Sequence, residues 1–285
     1  MKLSGLLALP LLLSALTNAA EPVGDALRKD FNLAPFYQKQ LLVGPFPIVA
    51  SDKTHDAALA ETALVVQGMI GHRPDLLKAL AQDKIRLTVM AASERTTDVP
   101  EHSDLTPADY WNRRARGLGP TRHRPSISCA EENVLNLKGD PYNTESILVH
   151  EFAHAIHLIA LDRVDPTFDQ RLKAAHTAAL AAGKWKDTYA GSNHAEYWAE
   201  AVQSWLNTNR ENDGIHNHVN TRAELIEYDP TLAALCKEVL GDRPWQYRRS
   251  DDPARANEPH LKNLDRSKLP AFKWTKKEKN APQQP

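Results

Sequence analysis

The chain has 285 residues, 42% of them hydrophobic and 25% charged, an ordinary globular composition that excludes a wholly disordered or fibrous protein. The length allows one large domain or two modest ones. Thirty-five Lys and Arg face 36 Asp and Glu, a net charge of -1, which excludes a broadly basic nucleic-acid binder.

Residues 1–19 have the three parts of a secretory signal peptide: Lys2, an apolar run from Leu6 to Leu16, then the small residues Thr17-Asn18-Ala19. The mature protein is therefore expected to be secreted or periplasmic, with an uncleaved N-terminal anchor as the alternative. The run is too short for an ordinary membrane span, and nothing later approaches one. Residues 30–49 are mixed, carry Pro35, Pro45 and Pro47, and are expected to lie across the surface. Residues 56–70 predict a helix, broken by His72-Arg73-Pro74-Asp75, and a second short helix follows over 75–82. Ile85 to Met90 alternates as a strand does.

Residues 93–126 are polar and rich in Arg, Pro and Gly, a length of loop that is usually functional or mobile. Within it, Arg113-Arg114-Ala115-Arg116 reads as a solvated face, with contact to an acidic partner as the alternative. Ser126-Ile127-Ser128-Cys129 suits a short strand at a sheet edge. Residues 144–161 and 194–207 predict strong helices. From 248 onward ten Lys/Arg stand against five Asp/Glu with five prolines, so 248–285 is expected to be a basic, partly disordered tail, with Trp274 pinning part of it to the body. That leaves 20–247 as the functional domain. The cysteines, Cys129 and Cys236, predict a disulfide in an oxidising compartment. It would close a loop of about a hundred residues, worth roughly 4 kcal/mol on the chain-entropy model. Two buried thiols are the alternative.

The helix over 144–161 carries the chemistry. It is apolar nearly all round, as a buried helix is, yet it holds His150, Glu151, His154 and His157. Buried ionisable groups need partners, and a metal ion would supply one. The pattern His150-Glu151-x-x-His154 sets two imidazoles about 40° apart around the axis and roughly 6 Å along it, so both can grip one Zn²⁺. Glu151 is then placed to take a proton from water at the metal. His157 lies about 10 Å along the axis from His150, too far to join the same site; it reads as a buried histidine bonded to a neighbour.

A catalytic zinc needs a third protein ligand. The metzincin pattern would require glycine at position 157 and histidine at 160, where His157 and Ala160 stand. A glutamate about twenty residues beyond His154, as thermolysin-like enzymes place it, is absent, since Lys173 and Ala174 stand there. The segment from Asp187 through Tyr189 and His194 to Leu206 offers Glu196, Glu200 and Gln203 on one face of an otherwise apolar helix. A solvated stripe is one reading. With two histidines lacking a partner, Glu196 is the first choice of ligand, and His194 and Asp187 are lesser candidates. Glu200, one turn on, can orient a zinc histidine through its free ring N–H.

The blocks His150-Glu-Phe-Ala-His154 and Tyr189-(six residues)-Glu196-Tyr-Trp-Ala-Glu200-Ala resemble the gluzincin-type zinc metallopeptidases, in particular the catalytic domain of anthrax lethal factor and the Pro-Pro endopeptidases. The chain is also similar to uncharacterised secreted zincin-like proteins with a segment like Glu131-Glu132-Asn133 ahead of the zinc helix. The motif similarity spans about 65 residues, 145–210. It implies that Glu196 completes the zinc site and that Tyr189 stabilises the oxyanion. It also implies an α+β, zincin-like fold, mostly helical, with a small mixed sheet whose edge strand lines the cleft.

These readings converge on a secreted zinc endopeptidase with one Zn²⁺ per chain, His150, His154 and Glu196 as ligands, and Glu151 and Tyr189 as catalytic groups. Glu200 and His157 stand behind the ligands. The expected partner is a peptide or protein substrate, without nucleic acid or a membrane span. An extended substrate would lie along the edge strand at Ser126-Ile127-Ser128, where Glu131 and Glu132 either shape the cleft or face solvent. A non-catalytic zincin-like binding module and a zinc hydrolase acting on a non-peptide substrate are the alternatives.

Overall fold

A computed structural model describes residues 19–281; nearly all of the segment expected to be a signal peptide, 1–18, lies outside them. The architecture is α+β, helix-rich with one mixed sheet, as the α+β expectation has it. Its elements in chain order are β1 (Glu21–Pro22), α1 (Asp25–Asp30), β2 (Lys39–Val43), β3 (Phe46–Ala50), α2 (Asp56–Ile70), α3 (Pro74–Gln82), β4 (Arg86–Met90), α4 (Ala108–Arg114), β5 (Gly117–Leu118), β6 (Ser126–Ala130), α5 (Glu131–Val134) and α6 (Ile147–Ala155). A π-helical turn, Ile156–Leu161, continues α6. Then come α7 (Asp162–Val164), α8 (Phe168–Ala181), α9 (His194–Trp205), α10 (Arg222–Tyr228), α11 (Pro230–Leu240) and α12 (Lys276–Asn280). Among the described residues, no helix is long and apolar enough to cross a membrane.

The six strands form one mixed sheet in the order β1-β2-β3-β4-β6-β5. β3, β4 and β6 run parallel, with Leu87 opposite Ile48 on one side and Ile127 on the other. These three strands are buried along their whole length, as central parallel strands flanked by helices must be. The segment expected to cross the surface at 30–49 instead makes the β2–β3 hairpin. Its two-residue loop opens with Gly44 at φ 58°, the position where a II′-type hairpin turn wants glycine. α2 is buried nearly all round, from Ala57 to Ile70, and shares the main core with β3, β4, β6 and α6.

Several expectations change here. β6 is not the edge: β5 covers it, pairing Gly117 with Cys129 and Leu118 with Ser128. The 93–126 loop is anchored by Arg116, whose guanidinium donates to both Glu132 oxygens at 2.6 and 3.1 Å with neither side chain exposed. Arg113 stacks on Trp274, 4.7 Å from the ring centre. The arginine cluster is thus mostly structural, not a solvated face. Glu131 accepts from the backbone N–H groups of His55 and Ala92. Neither glutamate shapes the cleft or faces solvent.

The segment from 248 is packed through residue 281, with Leu261, Phe272, Arg255 and Glu278 all buried. Arg255 forms a two-pronged ion pair with buried Glu61 of α2 at 2.8 and 2.7 Å, and His260 bonds the same carboxylate. Its charges find partners in the body, which is why a polar segment can be ordered. Trp274 does pin it, through Arg113.

The predicted disulfide is absent. Cys129 sits on β6 and Cys236 on α11, each a free thiol with no exposure. Both pack in the main apolar core, where a thiol behaves as a small hydrophobe.

Candidate metal centre

α6 begins at Ser146, whose hydroxyl accepts from the Val149 N–H, and Asn133 Oδ1 accepts from the Ile147 N–H at 2.8 Å. These bonds satisfy two of the orphan donors at the helix start. Leu148, Val149, Phe152, Ala153 and Ala155 bury the helix against the sheet and its neighbours. α9 begins at Asn193, whose side chain accepts from the N–H groups of Ala195 and Glu196. The two helices pack directly. Trp198 of α9 donates its indole N–H to the Ala153 carbonyl at 2.9 Å, and this places Glu196, half a turn earlier, across from the histidines.

The result is a triangle of donor atoms. His150 Nε2 lies 3.1 Å and His154 Nε2 3.3 Å from Glu196 Oε2, and the two Nε2 atoms are 3.2 Å apart. A tetrahedral zinc with donors at about 2.0–2.2 Å sets neighbouring donors roughly 3.3 Å apart. The three side chains therefore fit one zinc ion without rearrangement. Charge agrees with shape. Burial alone would lower the His150 pKa, but the carboxylates of Glu196, Glu151 and Glu200 around it raise it instead. The pocket holds a surplus of negative charge that a cation would balance.

Behind the triangle, the other ring nitrogen of His150 is 2.8 Å from Gln203 Oε1 and 3.5 Å from Glu200 Oε1. Gln203, not Glu200, is the hydrogen-bond acceptor. Its amide orientation follows from its other contacts, because Gln203 Nε2 faces two acceptors, Ser146 O and Glu145 Oε2. Glu200 is held by Asn209 Nδ2 at 3.0 Å and by His216, whose Nε2 lies 3.4 Å away. His157 is buried and bonds Asp169 at 3.1 Å; it does not touch the triangle's carboxylate. Asp187 is exposed with φ 57° and lies in the loop ahead of α9.

Glu151 projects from α6 beside β5. A Cβ on Gly117 would meet Ile147 at 2.4 Å and Glu151 Cγ at 3.2 Å, and one on Gly119 would meet His154 Cβ at 3.0 Å. Glycine at these positions lets the edge strand and its continuation cross close to the histidine helix, so the expected edge strand beside the site exists but is β5. Burial raises the Glu151 carboxyl above the usual range. The Tyr189 ring stacks on His150, centres 6.1 Å apart and 24° from parallel. Burial, then the Glu196 and Glu151 carboxylates, raise the Tyr189 hydroxyl's pKa. The exposed Arg114 guanidinium neighbours Tyr189 and Tyr110.

Three participants had no role at the site assigned from sequence. Gln203 had a signal, since it shares a face with Glu196 and Glu200. His216 sits in an irregular loop, and Arg114 near the end of α4; neither had a spacing that points to the site.

No family model matches the chain, and no curated protein matches it. Among solved structures, a Pro-Pro endopeptidase from Paenibacillus alvei aligns over 67% of this chain and 96% of its own, with 17% identity and a TM-score of 0.48.

Proposed function

We propose that this chain is a secreted zinc-dependent endopeptidase. The observation that carries the reading is the His150–His154–Glu196 triangle, sized for a zinc ion, with Glu151 and Tyr189 at its rim. A zinc ion held by these three side chains would supply a Lewis acid and a water acidic enough to lose its proton near neutral pH. Glu151 takes up that proton at its carboxylate and returns it to the leaving amine. The Tyr189 hydroxyl, kept protonated, donates to the scissile carbonyl oxygen as negative charge develops there. Gln203 holds His150 in the tautomer that leaves Nε2 free to bind metal. The free edge of β5 offers backbone groups to an extended peptide, and Arg114, exposed beside Tyr189, offers positive charge to the substrate.

The test is zinc content together with cleavage of a diverse peptide library, using purified protein and Glu151→Gln as control. One zinc at the triangle and cleavage lost in Glu151→Gln are the expected results. Zinc without cleavage would reject the peptidase in favour of a binding module or a non-peptide substrate. Equal cleavage by Glu151→Gln would reject Glu151 as the base.

A further inference from the structure

A second donor triangle lies beside the first. His157 is in the π-helical turn that continues α6, Asp169 is in the first turn of α8, and His194 opens α9. His157 Nε2 and His194 Nε2 each lie 3.1 Å from the same oxygen, Asp169 Oδ1. All three donor atoms fall within 4.8 Å of one another. The two rings meet edge to face with centres 5.6 Å apart at 81°, close to the 4.9 Å and 78° of His150 and His154. The same motif, two imidazole nitrogens converging on one carboxylate oxygen, is thus built twice, once between α6 and α9 and once where the π turn, α8 and α9 meet.

The surroundings are built as well. Lys173 Nζ holds the other Asp169 oxygen at 2.7 Å, which leaves Oδ1 aimed at the rings. The His157 side chain is 1% exposed and packs edge-on against Phe168. Its Nδ1, like that of His154, is buried with no partner among the described residues. A π turn within a helix is rare and recurs at functional sites; this one carries His157. Asp169 and His194 are 40% and 27% exposed, so the triangle opens to solvent on one side and leaves room for a water as a further ligand.

We infer that His157, Asp169 and His194 form a second divalent-metal site, of the nitrogen-and-oxygen donor kind suited to zinc or cobalt. Occupancy would tie α8 and the π turn to the first turn of α9, the turn that presents Glu196. The site stands on its own geometry and does not depend on the peptidase reading.

The experiment counts metal ions per chain by native mass spectrometry after chelator treatment and titration with Zn²⁺. Co²⁺ titration followed by visible absorption gives a second readout. Wild type is expected to bind two ions. Asp169→Asn, which keeps the side-chain shape, and His194→Ala, at a part-exposed position, are each expected to bind one and to lose one set of cobalt bands. His150→Ala/His154→Ala is expected to keep one ion. A wild type that binds a single ion, still bound by Asp169→Asn, overturns the second site and leaves the first intact. A single ion lost in Asp169→Asn but kept in His150→Ala/His154→Ala supports the second site and removes the first. Two ions in both Asp169→Asn and His194→Ala would also overturn the inference. Circular dichroism of each variant guards against counting a misfolded chain.

Discussion

Gln203 gives the sharpest test of how the centre is held. Its Oε1 is the 2.8 Å acceptor for the His150 ring N–H, at a position with no access to water. Gln203→Leu keeps the volume and removes the acceptor. The orphaned donor should cost about 1–3 kcal/mol, and loss of such an outer partner typically lowers metal affinity 10–100-fold. At saturating zinc that affinity loss alone is about 1.4–2.7 kcal/mol of stability. The assay is zinc competition against a chelator of known affinity, joined to thermal melts with zinc and with excess chelator. Gln203→Leu should weaken zinc at least tenfold, and its melting deficit should be larger with zinc than without. Glu200→Gln should weaken zinc less, because Glu200 stands 3.5 Å from the same nitrogen, beyond good hydrogen-bond range. A Gln203→Leu variant within twofold of wild-type affinity would refute the reasoning, as would Glu200→Gln losing more than Gln203→Leu.

The packing of the C-terminal segment is testable through Arg255: Arg255→Ala removes both guanidinium bonds to the buried Glu61 carboxylate and leaves it His260 alone, so denaturant unfolding should show a loss of up to about 3 kcal/mol; an unchanged midpoint would mean the segment is not packed. Burial lifts the Asp140 carboxyl from 3.8 to about 6. A raised carboxyl binds its proton more tightly in the folded state. Its stabilisation is therefore full below pH 3.8 and is lost as pH rises through about 6, by up to about 3 kcal/mol. Asp140→Asn should remove that pH dependence between 4 and 6 in chemical denaturation, and a wild-type profile parallel to the variant's would refute it. Finally, alkylation in denaturant without reductant should label both Cys129 and Cys236, while the native protein labels slowly because neither is exposed; a cross-linked peptide pair would contradict the structure.

Much of the chain was legible where local pattern and final environment agree. Helices at 56–70 and 75–82, the strand at 86–90 and the two helices carrying the metal-binding pattern all announce themselves by apolar periodicity, and each is found within a few residues of its expected place. The spacing His150, His154 puts two rings on one helix face whatever the rest of the chain does, because α-helical geometry alone fixes it. Glu196, Glu200 and Gln203 likewise share a face by spacing.

Other features depended on contacts between distant segments. The sheet edge at β5 follows from two glycines that permit close approach to α6, and a two-residue strand has no sequence signature. Arg113, Arg116 and the basic segment from 248 look solvated in isolation, but partners such as Trp274, Glu132 and Glu61 arrive from elsewhere in the fold and compensate their burial. Cys129 and Cys236 look like a bridge by compartment, while the packing of β6 and α11 in the core leaves each a free thiol. Sequence by itself determined the helices, their polar faces and the chemical kind of donor at 150, 154 and 196. Only tertiary structure decided which donors meet, that Gln203 rather than Glu200 contacts His150, and that His157, Asp169 and His194 converge, because these depend on how α6, α8 and α9 pack and no local periodicity encodes that packing.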